Sequence, residues 1–273
     1  MLRTYEAIEK VSNAIIHENL CEAILVKGSI GRGDDDAYSD VDLYVIVNEE
    51  KLKQFLDKRI HYLEAYKKIV FYEYMNFVAE QVVAIYDDGL HIDLYTVTRD
   101  NLPDKDKAKV IYDPNLILEE YNAGIQQTSP EELAERFSSA LYYIVEADSA
   151  YQRKNYPWAS YILSSSIANC AILLRYLYDK DYTYLGLKKI NEIIPCKQYL
   201  WIEEASKNLN ESGYPLALYK IIKILNYVTD NIDKDIKNLL NLEFFNWMKE
   251  KLENQLFQQK NDEEICKIIS KGC

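Results

Sequence analysis

Residues 28 to 42 read Gly28-Ser29-Ile30-Gly31-Arg32-Gly33-Asp34-Asp35-Asp36-Ala37-Tyr38-Ser39-Asp40-Val41-Asp42. A glycine–serine turn is followed by a short polar span and then by two aspartates one residue apart. On its N-terminal side lies AILVK (23–27), a short apolar run that reads as a buried strand ended by Gly28. On its C-terminal side, DVDLYVIV (40–47) reads as a second strand, ended by Asn48-Glu49-Glu50. Three of the eight glycines fall between Gly28 and Gly33, a concentration suited to a loop that hugs a ligand.

Side chains alternate across a strand, so Asp40 and Asp42 share a face about 7 Å apart, while Val41, Leu43 and Val45 point to the other, apolar side. Two carboxylates at the head of an apolar strand are costly unless a cation meets them, and magnesium, a hard ion shared with substrate phosphates, does so naturally. Asp93 offers a third carboxylate in His91-Ile92-Asp93-Leu94-Tyr95, a further alternating run. If that strand lies beside the first, the three aspartates converge and can hold two metals roughly 4 Å apart. Ahead of the pair, Gly28 permits close backbone approach and Ser29 can cap the turn or helix that follows. Free N–H groups there would meet phosphate oxygens, and Arg32 adds a planar cation suited to phosphate. The acids at 34 and 36 read as a solvated turn. An EF-hand loop is excluded because Ser39 stands where the turn glycine belongs.

The remainder divides in two. Helices are expected at 4–20 and 49–66, strands at 82–86 and 91–97 about the turn Asp87-Asp88-Gly89-Leu90, and an edge strand at 110–112. The pattern breaks at 122–130. Ser129-Pro130-Glu131-Glu132 then opens a helix with a serine cap, a first-turn proline and acids at the positive dipole end. Helical periodicity follows over 131–153, 157–178, 197–209, 214–235 and 237–257. An α/β half thus precedes an all-helical half.

Within 273 residues, 48% are apolar and the net charge is −12. Such acidity argues against a nucleic-acid partner, which needs a basic footprint, and suits a cationic small molecule. Five scattered cysteines, an odd number without metal-ligand spacing, fit a reduced intracellular compartment. The amphipathic N-terminus is no signal peptide and no apolar run reaches membrane-spanning length, so the expected location is cytoplasmic, away from membranes.

With these residues in hand, the α/β half resembles the nucleotidyltransferase superfamily that includes DNA polymerase beta. Gly28-Ser29-Ile30-Gly31-Arg32 followed by Tyr38-Ser39-Asp40-Val41-Asp42 is most similar to the bacterial aminoglycoside (kanamycin and streptomycin type) and lincosamide nucleotidyltransferases. The resemblance implies an α+β chain: a nucleotidyltransferase domain with a mixed sheet flanked by helices over 1–125, then a helical bundle binding the acceptor over 126–273. It implies that Gly28, Ser29, Arg32 and Ser39 bind the nucleotide and that Asp40, Asp42 and Asp93 hold magnesium, two ions in all. The reaction implied is attack of a small-molecule hydroxyl, a cationic antibiotic among the candidates, on the α-phosphorus of ATP or another nucleoside triphosphate. Asp93 is one candidate base. Glu146, in Ile144-Val145-Glu146-Ala147-Asp148, is another, because some relatives use a glutamate from the first helix of the helical half. Some relatives also build the acceptor pocket across a homodimer. Weighed against an enzyme is a regulatory, antitoxin-type module binding a protein partner. Its fused-RNase form is excluded because His17, His61 and His91, the only histidines, all lie in the α/β half.

Overall fold

The computed structural model describes residues 2–76, 79–104, 106–121, 124–125 and 127–258, with side chains described through residue 252. The chain divides into two units, residues 1–126 and 127–273.

In the first unit, α1 (Arg3–His17) leads to β1 (Cys21–Val26), and a five-residue helix, α2 (Gly28–Arg32), follows at once. Then come β2 (Val41–Val47), α3 (Glu49–Leu63), β3 (Ile69–Asn76), β4 (Glu80–Tyr86), β5 (His91–Val97) and β6 (Lys109–Tyr112). The six strands form one sheet in the order β3-β4-β5-β2-β1-β6. Only β2 and β5 run parallel; every other neighbouring pair is antiparallel. The mixed sheet flanked by helices matches the fold class expected from the sequence.

Alternation gives the sheet two different faces. Val41, Leu43, Val45 and Val47 of β2 join Ile24 and Val26 of β1 and Ile92 and Leu94 of β5, packed under Ala7, Val11 and Ile15 of α1 and Phe55, Tyr62 and Leu63 of α3. Each fully buried aliphatic side chain here contributes roughly 1.5–3 kcal/mol, so a one-residue register slip in β2, which would bring Asp42 and Tyr44 to this face, is strongly disfavoured. The opposite face carries a smaller cluster of Ala23, Leu25, Tyr44, Ile46, Val97 and Leu118. Asn48 starts α3 by accepting a hydrogen bond from the Glu50 amide at 2.9 Å, and acids in the first turn suit the dipole. The β4–β5 hairpin turns at Gly89 with φ of 76°, closed by Tyr86 N–H donating to the Leu90 carbonyl.

Strand β3 was not foreseen. Its sequence, IVFYEYMN, is mostly exposed on both faces at the sheet's edge, so it lacks the alternation that marks a half-buried strand.

The second unit holds α4 (Pro130–Gln152), α5 (Tyr156–Tyr176), a 3₁₀ turn (Lys180–Leu185), α6 (Ile190–Ile193), α7 (Cys196–Lys207), α8 (Tyr214–Asn231), α9 (Lys234–Lys237) and α10 (Leu242–Gln258). Helix α4 begins as expected: Ser129 Oγ accepts from the Glu132 amide at 3.1 Å and proline occupies the first turn. Leu133, Phe137, Leu141 and Ile144 of α4 pack with Leu163, Ile167, Cys170 and Leu174 of α5, and Phe137 meets Phe245 of α10 edge-on at 5.5 Å. The helix expected over 237–257 begins later, at Leu242. Asn241 caps α10 by accepting from the Phe244 amide, which ends the preceding turn. Helix α5 alone among the described residues is long and apolar enough to cross a membrane by length and composition, and 56% of that window is buried within the structure.

Candidate active site

The sheet register places the acids. On parallel strands β2 and β5, Asp42 pairs with Asp93, and Tyr44 with Tyr95. Register neighbours on adjacent strands point to the same face, so both carboxylates rise side by side on the face away from α1 and α3. One residue before β2, Asp40 lies at the same end of this face. Behind the acids the rings of Tyr44 and Tyr95 stack at 4.3 Å with planes 11° apart. On the other side, Lys27 N–H donates to the Asp42 carbonyl at 3.0 Å, carrying the row from β5 through β2 to the start of α2.

Gly28 is fixed there by sterics. Its φ is 62°, and a Cβ built on it would lie 2.0 Å from Asp42 Oδ2. Only glycine allows the carboxylate to rest against this backbone. Gly31 has a different duty: a Cβ there would come within 2.4 Å of the Lys107 carbonyl oxygen, so it lets α2 seat against the segment following β5. Ser29 Oγ is buried without a hydrogen-bond partner, an arrangement that costs about 1–3 kcal/mol until an acceptor arrives. The first turn of α2 also leaves its amides without intrahelical partners.

The cations beside this turn are held by the protein itself. Arg32 Nη1 pairs with Asp106 Oδ2 at 2.8 Å, and its Nε with Asp34 Oδ1 at 3.3 Å. Lys27 is buried, donates to the Pro103 carbonyl, and lies 5.1 Å from the Tyr44 ring and 5.5 Å from that of Tyr121. Burial lowers its ammonium to about 8, although Asp106 and Asp104 pull the other way. The Asp34–Asp36 run is more than a solvated turn: Asp35 accepts from Tyr5 Oη at 3.1 Å, and Asp36 accepts from the Tyr38 amide at 2.8 Å. Ser39 Oγ, an expected nucleotide ligand, accepts from the Asp36 amide at 2.9 Å within this turn.

His91 reports the electrostatics of the cluster. Its Nε2 lies 2.9 Å from Asp93 Oδ1. The hydrogen bond to Asp93 raises the imidazole above its ordinary value against the effect of burial, and the charges of Asp93, Asp40 and Asp42 add to the rise. One imidazole therefore senses all three aspartates. Burial pushes the Tyr95 hydroxyl upward, and the same three carboxylates push it further.

The donor set is all carboxylate oxygen, the chemistry magnesium prefers. Among the described residues, however, no group of three or more His, Cys, Asp or Glu side chains is gathered closely enough to hold a metal ion. Asp93 is engaged with His91 and Asp42 rests against Gly28, so phosphate oxygens would have to complete any coordination shell. Glu146 lies exposed on α4 of the helical unit.

Residues 8–114, which span α1 to β6, match the nucleotidyltransferase domain family. The first unit is thus similar to a nucleotidyltransferase domain. Among solved structures, the chain is similar to an aminoglycoside 6-adenyltransferase from Bacillus subtilis, with 9% identity, coverage of 91% of this chain and 97% of that one, and a TM-score of 0.41. A nucleotidyltransferase-like protein from Exiguobacterium sibiricum 255-15 is similar over 82% of this chain and 74% of that one, with 12% identity and a TM-score of 0.36. No curated protein matches in sequence. Around this site, sequence reasoning missed the buried Lys27, the Arg32–Asp106 pair and the packing role of Gly31. A lysine directly before Gly28 was the only available signal, because its partners at 103 and 106 come from a segment without periodicity.

Proposed function

We propose that this enzyme moves a nucleoside monophosphate, AMP from ATP in the first instance, to a hydroxyl of a small molecule in a magnesium-dependent reaction. One observation carries the reading: Asp42 and Asp93 are register neighbours on parallel strands, with the glycine of a Gly-Ser turn against the first of them. Asp40 and Asp42 at the head of β2 and Asp93 on β5 would hold the metal with the triphosphate. Magnesium bound there would neutralise phosphate charge and favour loss of the acceptor proton.

The chain's own groups do the rest. The α2 amides and Ser29 Oγ donate to phosphate oxygens. The acceptor oxygen bonds to the α-phosphorus, the bond from that phosphorus to the bridging oxygen breaks, and pyrophosphate leaves. Asp93 takes the hydroxyl proton, with its carboxylate oriented by His91, and Glu146 is the other candidate base. Positioning and charge neutralisation supply most of the acceleration. Arg32 would meet phosphate with a guanidinium already paired to Asp106 and Asp34. The net charge of −12 suits a cationic acceptor and disfavours nucleic acid. Cys21, Cys170 and Cys196 are all free thiols, in keeping with a cytoplasmic location.

The test is an acceptor screen with labelled ATP and magnesium, using aminoglycosides and lincosamides, on the wild type and the Asp40→Ala/Asp42→Ala double mutant. Pyrophosphate release is expected from the wild type and its loss, by about a thousandfold, from the mutant. Release that persists in the mutant overturns the site. An active wild type that modifies no antibiotic overturns only the resistance role.

A further inference from the structure

The register extends beyond the carboxylates. Asp93 of β5 pairs with Val83 of β4, and Val83 pairs with Glu73 of β3. One row across the sheet therefore runs Lys27, Asp42, Asp93, Val83, Glu73, with all its β-strand side chains on the same face. Flanking it, Ile85 pairs with both His91 and Phe71, and Met75 pairs with Gln81. Phe71 is 48% exposed and Ile85 36%, while Val83 and Met75 are half-buried. The site face thus continues as an open apolar shelf from Asp93 to the edge strand, ending on one exposed carboxylate. Glu73 makes no ion pair among the described residues. An exposed apolar surface adjoining a polar site is a common mark of ligand binding.

The order within the row assigns the occupant. The Gly28-Ser29 turn lies on the β1 side of Asp42, so the phosphates occupy that side. The shelf lies on the other side of Asp93, where an attacking hydroxyl must approach. Two strand spacings separate Asp93 from Glu73, about 10 Å. We propose that this shelf is the acceptor subsite and selects a hydroxyl compound with one cationic amine about 10 Å from the reacting oxygen and apolar surface between them. The inference rests on the transfer reaction proposed above and adds the acceptor's chemistry. A single carboxylate beyond an apolar span matches a monocation. A polycation would place several ammonium groups over apolar side chains without partners.

Lincomycin, which carries one basic amine and sugar hydroxyls, is the probe, and kanamycin, a polyamine, is the comparison. Binding to the full chain is measured with magnesium and a non-hydrolysable ATP analogue present. Lincomycin is expected to bind more tightly than kanamycin. Glu73→Gln should weaken it about fivefold and Glu73→Lys further, with the lincomycin KM rising and the ATP KM unchanged. Both substitutions lie at an exposed edge, and an unchanged melting curve checks their folding. Lincomycin that fails to bind the wild type, or binds all three proteins alike, overturns the shelf. In that case transfer still abolished by Asp42→Asn leaves the enzymatic reading standing, whereas pyrophosphate release indifferent to Asp42→Asn overturns that reading instead. A concentration-dependent dimer broken by Glu73→Lys and indifferent to lincomycin would give the edge to a second copy, which also overturns the proposal.

Discussion

Ser29 separates function from stability at a single atom. Its Oγ is buried and unpartnered, so it does nothing for the free protein and waits for an acceptor. Ser29→Ala should leave the free protein's melting temperature unchanged or slightly raised, and should weaken ATP binding about tenfold. Calorimetry on both proteins checks both signs, and a destabilised variant with normal ATP affinity would contradict the assignment. At this scale the placement of Asp42 beside Asp93 was legible because strand alternation is strict. Asp42 had to share a face with Asp40, and an aspartate within another alternating run had to share a face with its register partner. Glu73 was hidden for the converse reason. Its strand has no polar-apolar period, since both faces of β3 are mostly exposed. The turn contacts of the Ser39 hydroxyl were not legible, because they depend on the fold of residues 36–39.

Among the elements, the β4–β5 hairpin fixes the position of Asp93, and Asp88 in its turn ties it down. Asp88 accepts from Tyr66 Oη at 2.7 Å, from Lys67 Nζ at 2.9 Å and from the Leu90 amide at 3.0 Å, while its carbonyl accepts from Arg3 at 2.8 Å. Burial alone would raise this carboxyl; the Lys67 ammonium, the Tyr66 hydroxyl and the Leu90 amide outweigh it and hold the group at about 2, below its ordinary 3.8. Because the folded value is the lower one, the contribution is present above 3.8 and is lost as the pH falls toward about 2. Asp88→Asn should therefore destabilise by about 1 kcal/mol at neutral pH. The gap from wild type in urea melts should close across that acid window; a gap that stays constant down to pH 2 would contradict the account. The hairpin itself was legible from Asp87-Asp88-Gly89-Leu90. Helix α2 was only half legible, because five residues carry too little periodicity to separate a turn from a helix, and the break before α10 depends on one asparagine cap.

For the molecule as a whole, the two-part plan followed from a change of pattern. Apolar runs of strand length stop before Ser129, and helical spacing takes over. The cores are correspondingly separate: α1, α3 and the sheet share one cluster, and the helices of the second unit share another. What the sequence pattern could not supply was the gathering of the acids. Asp42 and Asp93 lie side by side, yet no complete metal-binding group exists among the described residues of the free protein. The central claim is that these aspartates and the triphosphate form one site together. Counting bound manganese by electron paramagnetic resonance, with and without a non-hydrolysable ATP analogue, tests it most directly. The account predicts scarcely any bound manganese without nucleotide, about two ions per chain with it, and a loss of at least one in Asp93→Asn. Equal manganese binding with and without nucleotide, unchanged by Asp93→Asn, would contradict it.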